Sequence, residues 1–131
     1  MTTVKVVLAD DNESMLTELR EELSEEFQIA GMAENGEEAM HAVLRLNPDV
    51  VVLDITMPIM TGLQVAARLR ENGHRAKILF VTIHEEPEYI SAAFLAGASG
   101  YVTKRRLASD LAHAIREVFG GRTFLSPTLR K

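Results

Sequence analysis

Val50-Val51-Val52-Leu53-Asp54 is an unbroken apolar run, rich in β-branched residues, that stops on a carboxylate. A run without the alternation of a half-wet strand suits a strand buried on both faces, and such strands belong to parallel sheets covered by helices. The pattern recurs along the chain. Val4 to Ala9 leads to Asp10 and Asp11, Ile78 to Val81 leads to Thr82, and Tyr101 to Thr103 leads to Lys104. In an open parallel sheet the strand ends of one polarity form one edge, so these polar positions become neighbours although they are distant in sequence.

The segments between them read as helices. Ser14 to Glu26 carries Met15, Leu16, Leu19 and Leu23 on one face with glutamates largely opposite. Ile29 to Ala33 reads as a second strand, Glu34-Asn35-Gly36 as a turn, and Glu37 to Leu46 as a second helix that Asn47-Pro48 ends, the third strand beginning at Asp49. Leu63 to Arg70 follows, with Asn72-Gly73 as its stop. A fourth helix starts near Glu85 or Pro87 and ends by Gly97. Leu107, Leu111, Ile115 and Val118 mark the last helix before Gly120-Gly121. Five strand–helix units predict a doubly wound α/β fold with a five-stranded parallel sheet in the order 2-1-3-4-5. That order sets Asp10, Asp11 and Asp54 around the topological switch point.

Composition narrows the function classes. A chain of 131 residues with 47% hydrophobic content suits a single domain, residues 1–131. The net charge of −5 argues against a dominant nucleic-acid surface, and Lys104-Arg105-Arg106 reads as a solvated or locally paired cluster. With no cysteine, disulfides, thiolate metal sites and thiol nucleophiles are excluded, which fits the cytoplasm. Met1-Thr2-Thr3-Val4-Lys5 lacks a basic region followed by an apolar core, and no stretch approaches the roughly 18 apolar residues of a membrane span.

Carboxylates gathered at one edge repel one another unless a cation or hydrogen-bond donors compensate. An oxygen-only donor set suits Mg²⁺, or Mn²⁺, better than Zn²⁺. Lys104 can hold an anion, the Thr82 hydroxyl can donate to it, and a carboxylate can accept a phosphoryl group directly. Asp54, ending a central strand, is the candidate nucleophile.

The spelling of these segments adds to the reading. Leu8-Ala9-Asp10-Asp11-Asn12, Val51 to Pro58 with Gly62, Val81-Thr82-Ile83-His84 and Gly97 to Lys104 occur in order, and Gly120 to Pro127 closes the chain. Over nearly its whole length the sequence resembles a response-regulator receiver domain of the NarL/FixJ branch, whose output is LuxR-type. The resemblance implies a flavodoxin-like (βα)5 fold. It makes Asp54 the phosphoacceptor, Asp10 and Asp11 the acidic pair for the divalent ion, the Thr56 backbone carbonyl a further ligand, and Thr82 and Lys104 the contacts of the phosphoryl oxygens. A sensor histidine kinase is the implied donor, with small phosphodonors such as acetyl phosphate as substitutes. The domain would thus assist its own phosphotransfer and dephosphorylation without being an enzyme in the usual sense. Thr82 and Tyr101 would form the switch, read out on the fourth helix, fifth strand and fifth helix, and the first or fifth helix could form a homodimer.

Residues 120–131 read as the start of an interdomain linker. DNA would be reached only through a helix-turn-helix output domain not present in this sequence, which points to the receiver of a transcription factor rather than a stand-alone receiver. Arg105 stands where many receivers carry a cis proline, and since a cis bond there would cost about 2.5–4 kcal/mol, a trans bond is expected. Ile83 is bulky where many receivers are small, which would narrow phosphoryl access. Plain packing is the competing reading for Tyr101 and the expected one for His84, Met57 and Met60, while Asp49 opens a strand. Two rivals are a metal-dependent phosphohydrolase, which would place a second aspartate where Thr56 stands, and a phosphorylation-independent interaction module, against which the set Asp10, Asp11, Asp54, Thr82 and Lys104 weighs.

Overall fold

Three helices begin on side chains that accept a hydrogen bond from the first turn. Asn12 accepts from the Met15 N–H, Asn35 from Glu38 and Thr61 from Gln64, the last completed by Gln64 reaching back to the Thr61 N–H. These caps fix the starts of α1 (Glu13–Leu23), α2 (Gly36–Leu46) and α3 (Gly62–Glu71), the first two close behind their strands and the third after a longer loop. The strands are β1 (Lys5–Ala9), β2 (Gln28–Ala33), β3 (Val50–Leu53), β4 (Lys77–Thr82), β5 (Gly100–Thr103) and β6 (Phe124–Leu125). The last helices are α4 (Pro87–Leu95), which uses proline in its first turn, and α5 (Leu107–Phe119). This computed structural model describes residues 3–130. Met1, Thr2 and Lys131, which the bounds 1–131 and 120–131 take in, lie outside the described residues.

All strand pairs are parallel, and the sheet order is β2-β1-β3-β4-β5-β6. The expected order holds and gains a sixth strand at the β5 edge. Successive strand residues point to opposite faces, and both faces are buried. Val7, Ala9, Val51, Leu53, Phe80 and Tyr101 join the core under α2, α3 and α4. Val6, Leu8, Val50, Val52, Leu79, Val81 and Val102 pack under α1 and α5. Two apolar layers therefore clamp one sheet, which is why the apolar runs show no alternation.

Helix boundaries fall close to expectation with one clear shortening. The first helix was expected to reach Glu26 but ends at Leu23, because the turn after it, closed by the Phe27 N–H on the Leu23 carbonyl at 2.9 Å, delivers Phe27 into the core. Met57 is buried and Met60 packs against the same core, the loop packing expected of both. Asp49 accepts a 2.8 Å hydrogen bond from the Lys5 N–H at the opposite end of the sheet from the acidic residues. Peptide bonds among the described residues are trans, that between Lys104 and Arg105 included.

The β3–α3 loop is held tightly. The Gly62 N–H donates to the Ile55 carbonyl at 2.8 Å, and a Cβ at Gly62 would run into the Asp54 carbonyl oxygen. Ile59 in this loop carries a φ of 72°, a conformation that costs a β-branched residue roughly 1–3 kcal/mol and persists only where neighbours impose it. Gly62→Ala is expected to lower unfolding free energy by about 3 kcal/mol, because a methyl forced onto backbone displaces the loop. Urea unfolding checks this, and an unchanged midpoint and slope would contradict it.

Candidate functional site

The carboxyl ends of β1, β3 and β5 bring together groups spread over most of the chain. Register does the positioning: Ala9 lies beside Leu53, so the residues that follow, Asp10 and Asp54, emerge next to each other. The Asp54 N–H is fixed on the Ala9 carbonyl at 3.0 Å and the Asp10 N–H on the Ala33 carbonyl at 3.1 Å. Asp10, Asp11 and Asp54 each offer an oxygen within 4.8 Å of the others. Asp10 and Asp54 are buried, whereas Asp11 is exposed.

Lys104 enters from the first residue after β5. Its Nζ donates to Asp10 Oδ2 at 2.8 Å and to Asp54 Oδ2 at 2.9 Å. The remaining oxygens have backbone donors, the Asn12 N–H on Asp10 Oδ1 at 2.9 Å and the Ile55 N–H on Asp54 Oδ1 at 2.7 Å. Burial pushes the Asp10 carboxyl above the usual aspartate value, and the hydrogen bonds from Lys104 and Asn12 oppose this without cancelling it. For Lys104, burial works against the ammonium, but its hydrogen bonds to Asp10 and Asp54 outweigh that and raise its pKa above the ordinary lysine value. One ammonium against three carboxylates leaves an excess of negative charge and hard oxygen donors, a fit for a small divalent cation.

The cleft over these groups has a volume of about 320 Å³ and is also lined by Asn12, Thr56, Ile83 and His84. Ile83 is 70% exposed, at the mouth rather than the floor. Thr82 is fully buried and does not line the cleft; its hydroxyl accepts a long 3.4 Å bond from the His84 N–H. Tyr101 is fully buried, with its hydroxyl donating to the His84 carbonyl at 2.8 Å. His84 does pack, stacked on Tyr89 at 4.0 Å between ring centroids, and its Nε2 also lies 3.0 Å from Thr56 Oγ1.

The residues of the basic triplet are each paired locally. Besides Lys104, Arg105 meets Glu85 at 2.6 Å and Arg106 meets Asp110 at 3.0 Å. Two groups in this region were not singled out from sequence: Glu85, which also accepts from Thr103 Oγ1 at 2.6 Å, and Asp110, which accepts from Ser126 Oγ at 2.8 Å. Thr103 and Ser126 lie 18 and 16 residues from them, separations that no local spacing announces, whereas the Arg106–Asp110 pair has the i, i+4 spacing of a helix and was open to reading from sequence. The tail offers only an adjacent apolar pair, Phe124-Leu125, after the Gly120-Gly121 turn, too short to show a strand period.

The profile of the response regulator receiver domain matches residues 6–116. This chain belongs to that family. It is similar to the uncharacterized transcriptional regulatory protein YvfU of Bacillus subtilis, 40% identical over 128 residues that cover 96% of this chain and 64% of YvfU. It is also similar to the chemotaxis protein CheY of Halobacterium salinarum, 40% identical over 87% of this chain and 95% of CheY. The signal receiver domain of the putative response regulator NarL from Mycobacterium tuberculosis superposes with a TM-score of 0.90 at 30% identity, covering 93% of this chain and all of that one. The receiver chain spans less than two thirds of the length of YvfU and of the Pseudomonas aeruginosa response regulator GacA, 64% and 60%. The fold and the NarL/LuxR-type resemblance expected from the motifs are therefore borne out. No helix among the described residues is long and apolar enough to cross a membrane.

The hydrogen bonds from Arg105 and Thr103 hold the Glu85 carboxyl down at about 2, against an ordinary value of 4.5. A depressed carboxylate contributes stability that is present above the unfolded value and lost as pH falls through the folded one. Wild type is expected to exceed Glu85→Gln in stability at about pH 5.5, with the gap narrowing by about pH 3.5. Urea midpoints of both proteins across that range check this; a constant gap would contradict it.

Proposed function

We propose that this receiver domain accepts a phosphoryl group on Asp54 from a phosphohistidine of a sensor histidine kinase and passes the change to an output function. The observation that carries the reading is Lys104 Nζ bridging Asp10 and Asp54 beside Asp11. An Asp54 oxygen attacks phosphorus, the P–N bond breaks, and the imidazole leaves as an acyl phosphate forms. Lys104, already bonded to the Asp54 oxygen, is positioned to follow negative charge onto the transferred group. Mg²⁺, or Mn²⁺, held by the carboxylates of Asp10, Asp11 and Asp54 with the Thr56 carbonyl, would neutralise phosphoryl charge.

Thr82 and Tyr101 form the proposed switch. Thr82 closes β4, and the Tyr101 hydroxyl is tied to the carbonyl of His84, two residues further on. A shift of Thr82 toward a phosphoryl oxygen would therefore move the backbone that holds Tyr101. The changed surface would comprise α4, β5 and α5. Transcription through a DNA-binding domain is the proposed output, supported by the description of YvfU as a transcriptional regulatory protein. A cytoplasmic setting and pairing of two copies through α1 or α5 belong to the same proposal, as does residue 120 onward leading toward an output domain.

Mass spectrometry after incubation with Mg²⁺ and acetyl phosphate tests it, with Asp54→Asn in parallel. The expected result is one phosphoryl adduct that maps to Asp54 and is absent from the variant and from samples with chelator. Labelling that persists in Asp54→Asn would overturn the assignment. An unlabelled, folded wild type that also stays unlabelled with phosphorylated kinase would favour the phosphorylation-independent module.

A further inference from the structure

The segment after α5 is built into the sheet edge that carries the switch. The chain reverses at Gly121, whose φ is 87°, and β6 runs parallel to β5 with Leu125 beside Tyr101. The ladder continues past the strand: the Phe124 N–H donates to the Ser99 carbonyl at 3.0 Å, the Ser126 N–H to the Tyr101 carbonyl at 3.0 Å, and the Thr103 N–H to Ser126 Oγ at 3.2 Å. The Ser126 hydroxyl then donates to Asp110, itself held by two bonds from Arg106. Ser126 is fully buried. It thus joins the end of β5, one residue before Lys104, to the first turn of α5.

Side chains tie the segment to the same place. Leu125 and Leu129 pack against the core cluster that contains Tyr101. Arg130 lies over the Phe124 ring at 5.5 Å and donates to the Leu125 carbonyl at 2.7 Å, folding the segment back on itself. A groove of about 590 Å³ separates it from α4, with Glu85 and Ile90 opposite Leu125 and Leu129. Tyr101 is therefore held through its hydroxyl by the β4–α4 loop and through its backbone by the tail.

We propose that residues 122–130 act as a regulatory strap: their docking on β5 favours the buried Tyr101, and modification of Asp54 favours their docking. The proposal rests on the phosphoacceptor reading of Asp54. The coupling must be reciprocal, since a modification that strengthens docking is itself favoured by docking. An undocked strap leaves the carbonyl of Tyr101 and the N–H of Thr103 without these partners, so β5 loses the frame that keeps Tyr101 inward.

Amide exchange of residues 122–130 and titration with beryllium fluoride in Mg²⁺, a phosphoryl mimic, test both directions. In wild type the mimic is expected to slow exchange in the strap. Ser126→Ala is expected to weaken binding of the mimic about fivefold or more, the low end of ordinary coupling between sites, and Arg130→Ala to weaken it to a lesser degree. Arg130 is exposed, so its variant decides the matter if Ser126→Ala fails to fold. Strap exchange that ignores the mimic, or variants with a loosened strap and wild-type affinity, would overturn the proposal. Wild type that binds no mimic at all would overturn the phosphoacceptor reading, and the strap with it.

Discussion

Charge balance at one edge of the sheet constrains the rest of the structure. Asp10 and Asp54 are buried side by side because β1 and β3 pair in register, and one ammonium, Lys104, answers both. Burying carboxylates without a partner is expensive, and removing one partner of a buried pair typically costs about 3–5 kcal/mol. The sheet order therefore has a chemical counterpart. Unless β5 delivers Lys104 to the ends of β1 and β3, two carboxylates are left buried without their ammonium. The negative charge that Lys104 does not answer is what suits the edge to a small cation.

The surrounding loops serve the same edge. The β3–α3 loop accepts a strained Ile59 and requires Gly62 so that the backbone after Asp54 can fold back against β3. The β4–α4 loop supplies His84, whose ring reaches Thr56 while its carbonyl holds Tyr101. Each is a short path from the cleft to a different surface. Rigid strands fix the acidic groups, and loops carry the parts that would move.

Much of this was legible in the sequence because a buried parallel strand writes itself as an uninterrupted apolar run, and its end as a polar residue. Asp10, Asp54, Thr82 and Lys104 could be placed on one edge from that pattern, and the motif spelling then pointed to the family. Thr82 was less legible: its position is as expected, but burial of its hydroxyl under the His84 N–H depends on the loop path. The pairing of His84 with Thr56 joins residues 28 apart, and that of Ser126 with Asp110 joins a tail to a helix. Neither has a period. The sixth strand is two residues long, too short for periodicity to rise above that of a loop, so a segment read as the start of a linker is also a paired edge.

The most direct measurement is anomalous diffraction from crystals of the chain grown with Mn²⁺. The charge balance at this edge predicts one manganese peak bonded to carboxylates among Asp10, Asp11 and Asp54. Saturating Mn²⁺ with no peak at this edge, and Lys104 still bridging Asp10 and Asp54, would contradict it.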